Sequence, residues 1–64
     1  MKESRRPYKY IVDAVYLNTE KDEIEFDYIE TLAWSANEAR HNAHEYMSRF
    51  PFVSHLKIDC VSRV

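Results

Sequence analysis

Glycine is absent from this 64-residue chain. That removes every glycine-dependent device at once: no P-loop, no dinucleotide-binding fingerprint and no nucleophile elbow can be built. Cysteine occurs once, at Cys60, so no intrachain disulfide can close, and no zinc-ligand set is visible. No apolar run is long enough to span a membrane as a helix. The basic residues near the N-terminus are followed by no apolar stretch, so they do not read as a secretory signal. Together with the lone thiol, this predicts a reducing, cytoplasmic setting. A chain of this length is expected to make one domain. At such a size folding buries only about 60% of the unfolded surface, so stability without a staple must come from tight packing or oligomerisation. One tryptophan, five tyrosines and three phenylalanines make the chain too aromatic to be disordered.

Charge is distributed unevenly. The formal net charge of −2 argues against a general nucleic-acid binder, where a basic excess is the expected footprint. The first nine residues hold Lys2, Arg5, Arg6 and Lys9 against Glu3. Residues 20–30 hold Glu20, Asp22, Glu23, Glu25, Asp27 and Glu30 against Lys21. Separated poles of this kind can present an acidic face despite a mild total.

Along the chain, residues 1–7 are polar, end in proline and read as a flexible basic tail, with a single domain over 8–64. Tyr8 to Leu17 is dominated by β-branched and aromatic residues and predicts a strand. Asn18 to Asp22 is a polar connection, expected as a loop of about four or five residues because no glycine supports a tight primed turn. Residues 23–33 alternate as a half-buried strand does, with Ile24, Phe26 and Tyr28 on one side and Glu23, Glu25 and Asp27 on the other. Ser35 and Glu38 then form a capping-box pair, Ser35 as N-cap. Ala36, Ala39, Ala43, Tyr46, Met47 and Phe50 make one apolar stripe, predicting a helix over 36–50 that Pro51 stops. Residues 54–63 form the third strand.

The expected architecture is therefore α+β, β-β-α-β: a three-stranded antiparallel sheet of order 2-1-3 with one helix packed on one face. The covered side should collect Tyr10, Val12, Ala14, Tyr16, Ile24, Phe26, Tyr28, Leu56, Ile58 and Cys60. The open side should carry Lys9, Asp13, Glu25, Asp27, Lys57, Asp59 and Arg63, together with the aliphatics Ile11, Val15, Leu17, Ile29 and Val61. Five large aliphatics on an open sheet face point to a partner. A homodimer through Ile11, Val15, Leu17 and Val61 would also supply the core that so short a chain lacks.

The residues that could carry chemistry do not assemble into a catalytic set. His41 and His44 share one side of the helix, but zinc needs three or four ligands, and His55 and Cys60 belong to another element. Cys60 is expected in the core, where a thiol behaves as a small hydrophobe. The strand carboxylates stand in a row about 6–7 Å apart, without a pocket to split their pKa values. They protect a sheet edge, or they mimic a phosphate backbone and fill a basic groove on another protein. Arg5, Arg6, Tyr8 and Lys9 mix cations with an aromatic ring, as single-strand binders do, or form a solubilising tail. Trp34, at the strand-to-helix junction, reads as an anchor there.

The segment from Trp34 to Arg40, entering a helix after a strand, resembles a strand-to-helix module of small bacterial and phage-encoded proteins. Over most of its length the chain loosely resembles the small archaeal large-subunit ribosomal protein of the LX kind. Its β-β-α-β order and acidic character are similar to phage-encoded inhibitors of uracil-DNA glycosylase. No motif carries a site over from either.

The functional expectation is a non-enzymatic interaction module without metal or cofactor. It would be of phage or mobile-element type and block a host nucleic-acid-handling protein. The acidic strand would make the contact, through Glu23, Glu25, Asp27, Ile29 and Glu30. The alternatives are a small dimeric nucleic-acid-binding regulator using Arg5, Arg6, Tyr8 and Lys9, and a structural or accessory subunit.

Overall fold

A computed structural model describes residues 6–64, so Lys2 and Arg5 of the basic segment lie outside the described residues. The elements are β1 (Tyr8–Asn18), β2 (Glu23–Ala33), α1 (Ala36–Met47) and β3 (Val53–Arg63). β1 is central and antiparallel to both neighbours, giving the order β2-β1-β3 with the single helix against one face. This is the α+β arrangement that the period changes in the sequence predict.

The four-residue connection between β1 and β2 is organised by Asn18. Its Oδ1 accepts from the backbone N–H of Glu20 at 2.9 Å and of Lys21 at 3.2 Å, while its carbonyl accepts from Asp22 N–H at 2.7 Å. Asp22 takes the positive φ of 57° that glycine would otherwise supply, a conformation that aspartate tolerates better than most residues. Ser35 caps α1: its Oγ accepts from Glu38 N–H at 3.2 Å, and Glu38 Oε1 accepts from Trp34 N–H at 2.6 Å. The carboxylate thus reaches one residue further back than in the standard capping box.

The helix ends at Met47, three residues earlier than the apolar stripe suggests. Phe50 precedes Pro51, and the proline ring disfavours a helical residue before it. The chain tightens instead, with Arg49 N–H donating to Tyr46 O and Phe50 N–H to Met47 O.

The hairpin fixes which side chains share a face. Antiparallel partners project to the same side of a sheet. Buried Tyr10, Val12, Ala14 and Tyr16 of β1 stand opposite Thr31, Ile29, Asp27 and Glu25 of β2. Glu23, Glu25 and Asp27 therefore lie on the helix side of the sheet. Ile24, Phe26 and Tyr28, expected in the core, lie on the open side with Leu32. The one-residue parity that separates these outcomes is set by the length of the turn.

The carboxylates are tolerated because α1 is short. Twelve helical residues span about 18 Å, whereas eleven strand residues span about 36 Å. α1 covers the end of the sheet that holds Ile29 and Ala33, and Glu23 and Asp27 at the other end meet water.

β3 is irregular, and this moves three more residues. Asp13 pairs with Cys60 but Ala14 pairs with Ile58, leaving Asp59 as the extra residue of a bulge. Ile58 and Val61 consequently both pack against the core, while Cys60 is exposed on the open side instead of buried. Ile29 and Val61, expected on the open face, are helix-side residues. Arg63 stands opposite Tyr10 and is also on the helix side. A second irregularity, between Val15 and Leu17, coincides with a positive φ of 53° at His55.

The resulting core is thin: Tyr10, Val12, Ala14, Tyr16, Ala33, Ala39, Ala43 and Met47, with Val12 the largest side chain fully removed from solvent. Ala39 and Ala43 carry no bulk, so the helix can approach the sheet closely. From Tyr46 in the last helical turn, Phe50, Phe52 and Tyr16 continue the layer as a chain of ring contacts with centroids 5.4–6.4 Å apart.

Candidate functional site

The open face of the sheet holds four of the eight exposed large hydrophobic side chains of the described residues. β1 contributes Ile11, Val15 and Leu17, all half-buried between their neighbours. β2 contributes a ridge: Ile24 is 61% exposed, Phe26 78%, Tyr28 63% and Leu32 60%. With ordinary side-chain areas this ridge presents roughly 450 Å², in the middle of the range for the largest patch on a typical monomer. β3 contributes small or polar residues, Ser54, Lys57, Cys60 and Ser62, by their pairing with Leu17, Val15, Asp13 and Ile11. The sequence reading missed the ridge. Its signal was the parity change within β2, where apolar positions 24, 26 and 28 give way to 29 and 33.

The acidic strand is divided by function within the fold. Glu25 is an internal hub: Oε1 accepts from Tyr16 Oη at 3.1 Å and from Asn18 Nδ2 at 3.2 Å, and Oε2 accepts from Lys21 Nζ at 3.2 Å. Donation by Asn18, then by Lys21 and Tyr16, holds its carboxyl below the usual carboxylate range. Burial, and then the bond to Glu25, pushes the Tyr16 phenol up. Asp27 Oδ1 accepts from the backbone N–H of Tyr28 at 2.8 Å, satisfying a donor on the edge strand. Glu20, Asp22 and Glu23 remain exposed, while Ile29 packs inward and Glu30 pairs with Lys9 at 3.7 Å on the open face.

At the opposite end of β1, the Arg63 guanidinium lies 4.3 Å from the Tyr8 ring centroid, so one face of that ring is occupied. Arg6, two residues before Tyr8, is exposed. A shallow open groove between α1 and β3 is lined by Asn37, Arg40, His41, His44 and Ile58. Among the described residues, no three His, Cys, Asp or Glu side chains converge on a metal-sized site. No helix among them is long and apolar enough to cross a membrane. Trp34 is 53% exposed and so does not anchor the junction by burial.

Compared with known proteins, the chain matches no family model, no curated protein and no solved structure.

Proposed function

We propose that this chain is a small non-enzymatic protein-interaction module that docks through the bare face of its sheet. One observation carries the reading: four large apolar side chains of β2 stand on that face, each more than half exposed, beside Ile11, Val15 and Leu17. A contiguous apolar patch of this size on a single domain often marks an interaction site. Aromatic residues at the centre of such a patch are the usual carriers of binding energy. The test is a photocrosslinking scan with benzoylphenylalanine placed at Phe26, Glu23 or His41 in cells. Crosslinked products from position 26, and none from position 41, support the reading. Products from position 23 alone would overturn it.

That last outcome belongs to a second reading, in which the acidic end of β2 fills a basic groove on a nucleic-acid-handling protein and blocks it, as a phage or mobile-element inhibitor does. Exposed Glu20, Asp22, Glu23 and Asp27 favour it. Glu25 contributes little there, being held by Tyr16, Asn18 and Lys21. Replacing Glu23 and Asp27 by their amides should slow association and weaken its salt dependence if this strand makes the contact.

A further inference from the structure

We propose that the occupant of the open sheet face is a second copy of this chain, related by a two-fold axis. The inference rests on the reading of that face as the docking surface, and three features of the face single out the partner.

The first is charge. β2 sends Glu23, Glu25 and Asp27 to the helix side, so the open face carries two cations, Lys9 and Lys57, and two carboxylates, Asp13 and Glu30. Lys9 and Glu30 already pair at 3.7 Å. Asp13 and Lys57 make no ion pair among the described residues, which leaves one anion and one cation per copy. With two cations against two carboxylates the face carries no net charge, so two copies stack without net repulsion. A strongly charged partner of either sign gains nothing from such a face.

The second is shape. The face is high along β2, with Ile24, Phe26, Tyr28 and Leu32, and lower along β3, where Ser54, Cys60 and Ser62 flank the single long side chain of Lys57. Stacked about an axis parallel to the strands, the ridge of each copy falls over the shelf of the other. Two sheets then pack about 10 Å apart as in a sandwich. The third is area. The roughly 450 Å² of the ridge, extended by the half-buried aliphatics of β1 and the shelf of β3, supplies more than half of the ~800 Å² per partner of a standard stable interface. It also gives a second apolar layer to a chain whose own core fully buries no side chain larger than Val12.

The test is sedimentation velocity on the whole chain from about 1 to about 100 µM, a range bracketing ordinary dimer affinities, with thiol reactivity followed in parallel. Cys60 lies on the open face and is exposed in the isolated chain, so it reports coverage. The expected result is a species of twice the 7.7 kDa chain mass, with Cys60 slowed as it forms. Phe26→Asp should weaken association at least about thirty-fold, the factor a hot-spot residue carries. With the axis parallel to the strands, Val15 of the central strand meets its own copy, so Val15→Asp should weaken association as well by placing two like charges in the contact. A wild-type chain that stays monomeric throughout overturns the proposal, as does a Phe26→Asp chain that remains dimeric. If the monomer's Cys60 is nevertheless protected in lysate, only the second copy is refuted and the docking surface stands. If Cys60 reacts freely in both settings, both readings fall.

Discussion

Replacing Val12 with alanine should destabilise the fold by about 2–3 kcal/mol, combining the transfer and cavity contributions. Val12 is 0% exposed and sits among Tyr10, Ala33, Ala39 and Ala43, with Ile29 and Val61 packed against them. The substitution removes two methyl-sized groups, about 0.8 kcal/mol each in transfer free energy. The space they leave, roughly 50 Å³, adds about 1 kcal/mol if it stays open. It should stay open, because three of the nearest neighbours are alanines with no side chain to swing inward. Against a total stability of roughly 3–10 kcal/mol for a chain of this size, that is a large fraction. The assay is urea unfolding followed by far-ultraviolet circular dichroism, at one fixed chain concentration because association would add to the apparent stability. The midpoint should fall with the slope unchanged. A loss under about 0.5 kcal/mol, the size of an ordinary surface substitution, would refute the placement of Val12 at the centre of the core.

Three further outcomes follow from local features. Ser35→Ala should cost about 1 kcal/mol in the same unfolding assay, because Glu38 N–H loses its acceptor at the start of α1, whereas Ser62→Ala should be close to neutral. Glu25 has a folded-state pKa below its unfolded value, so its contribution to stability is present above the ordinary carboxylate range and is lost as the pH falls through the folded value. Unfolding measured across the acidic range should therefore be less steep in Glu25→Gln, and an unchanged profile would refute the role of the hub. Tyr16 has the opposite sense: its phenol is raised, so stability is lost as the pH rises through its folded value, and Tyr16→Phe should flatten the alkaline limb.

The order of elements was legible because each period is local. The alternation at Tyr8–Asn18 and Glu23–Ala33, the switch to helical spacing after Ser35 and the stop before Pro51 all lie within single segments. The partition of side chains between the two faces was not, because it depends on parity carried across turns and bulges. A connection of four residues sets Asn18 opposite Glu23 and sends Phe26 outward. One extra residue, Asp59, turns Cys60 to the open face while Ile58 and Val61 stay inside. Alternation at residues 23–28 invited the reading that the apolar side faces the helix. The helix is too short to reach that end of the sheet, where Tyr16 of β1 is buried but Glu23 and Asp27 of β2 stay exposed, so burial within β2 does not decide the register there. Ile11, Val15 and Leu17 were readable as open-face residues because β1 alternates without interruption against buried Tyr10, Val12, Ala14 and Tyr16. The hub at Glu25 was hidden for the same reason as the ridge: its partners Tyr16 and Asn18 come from the neighbouring strand.

The central claim, that the working state of the chain has its open sheet face covered, is tested most directly by hydroxyl-radical footprinting in intact cells. Phe26 and Tyr28 mark the face, and Tyr46, half exposed on the helix, is an internal reference on the other side. Oxidation at Phe26 and Tyr28 should be strongly suppressed relative to the purified chain diluted well below micromolar concentration, while Tyr46 is oxidised equally in both. Phe26 and Tyr28 oxidised in cells as fast as in the dilute chain would contradict the account.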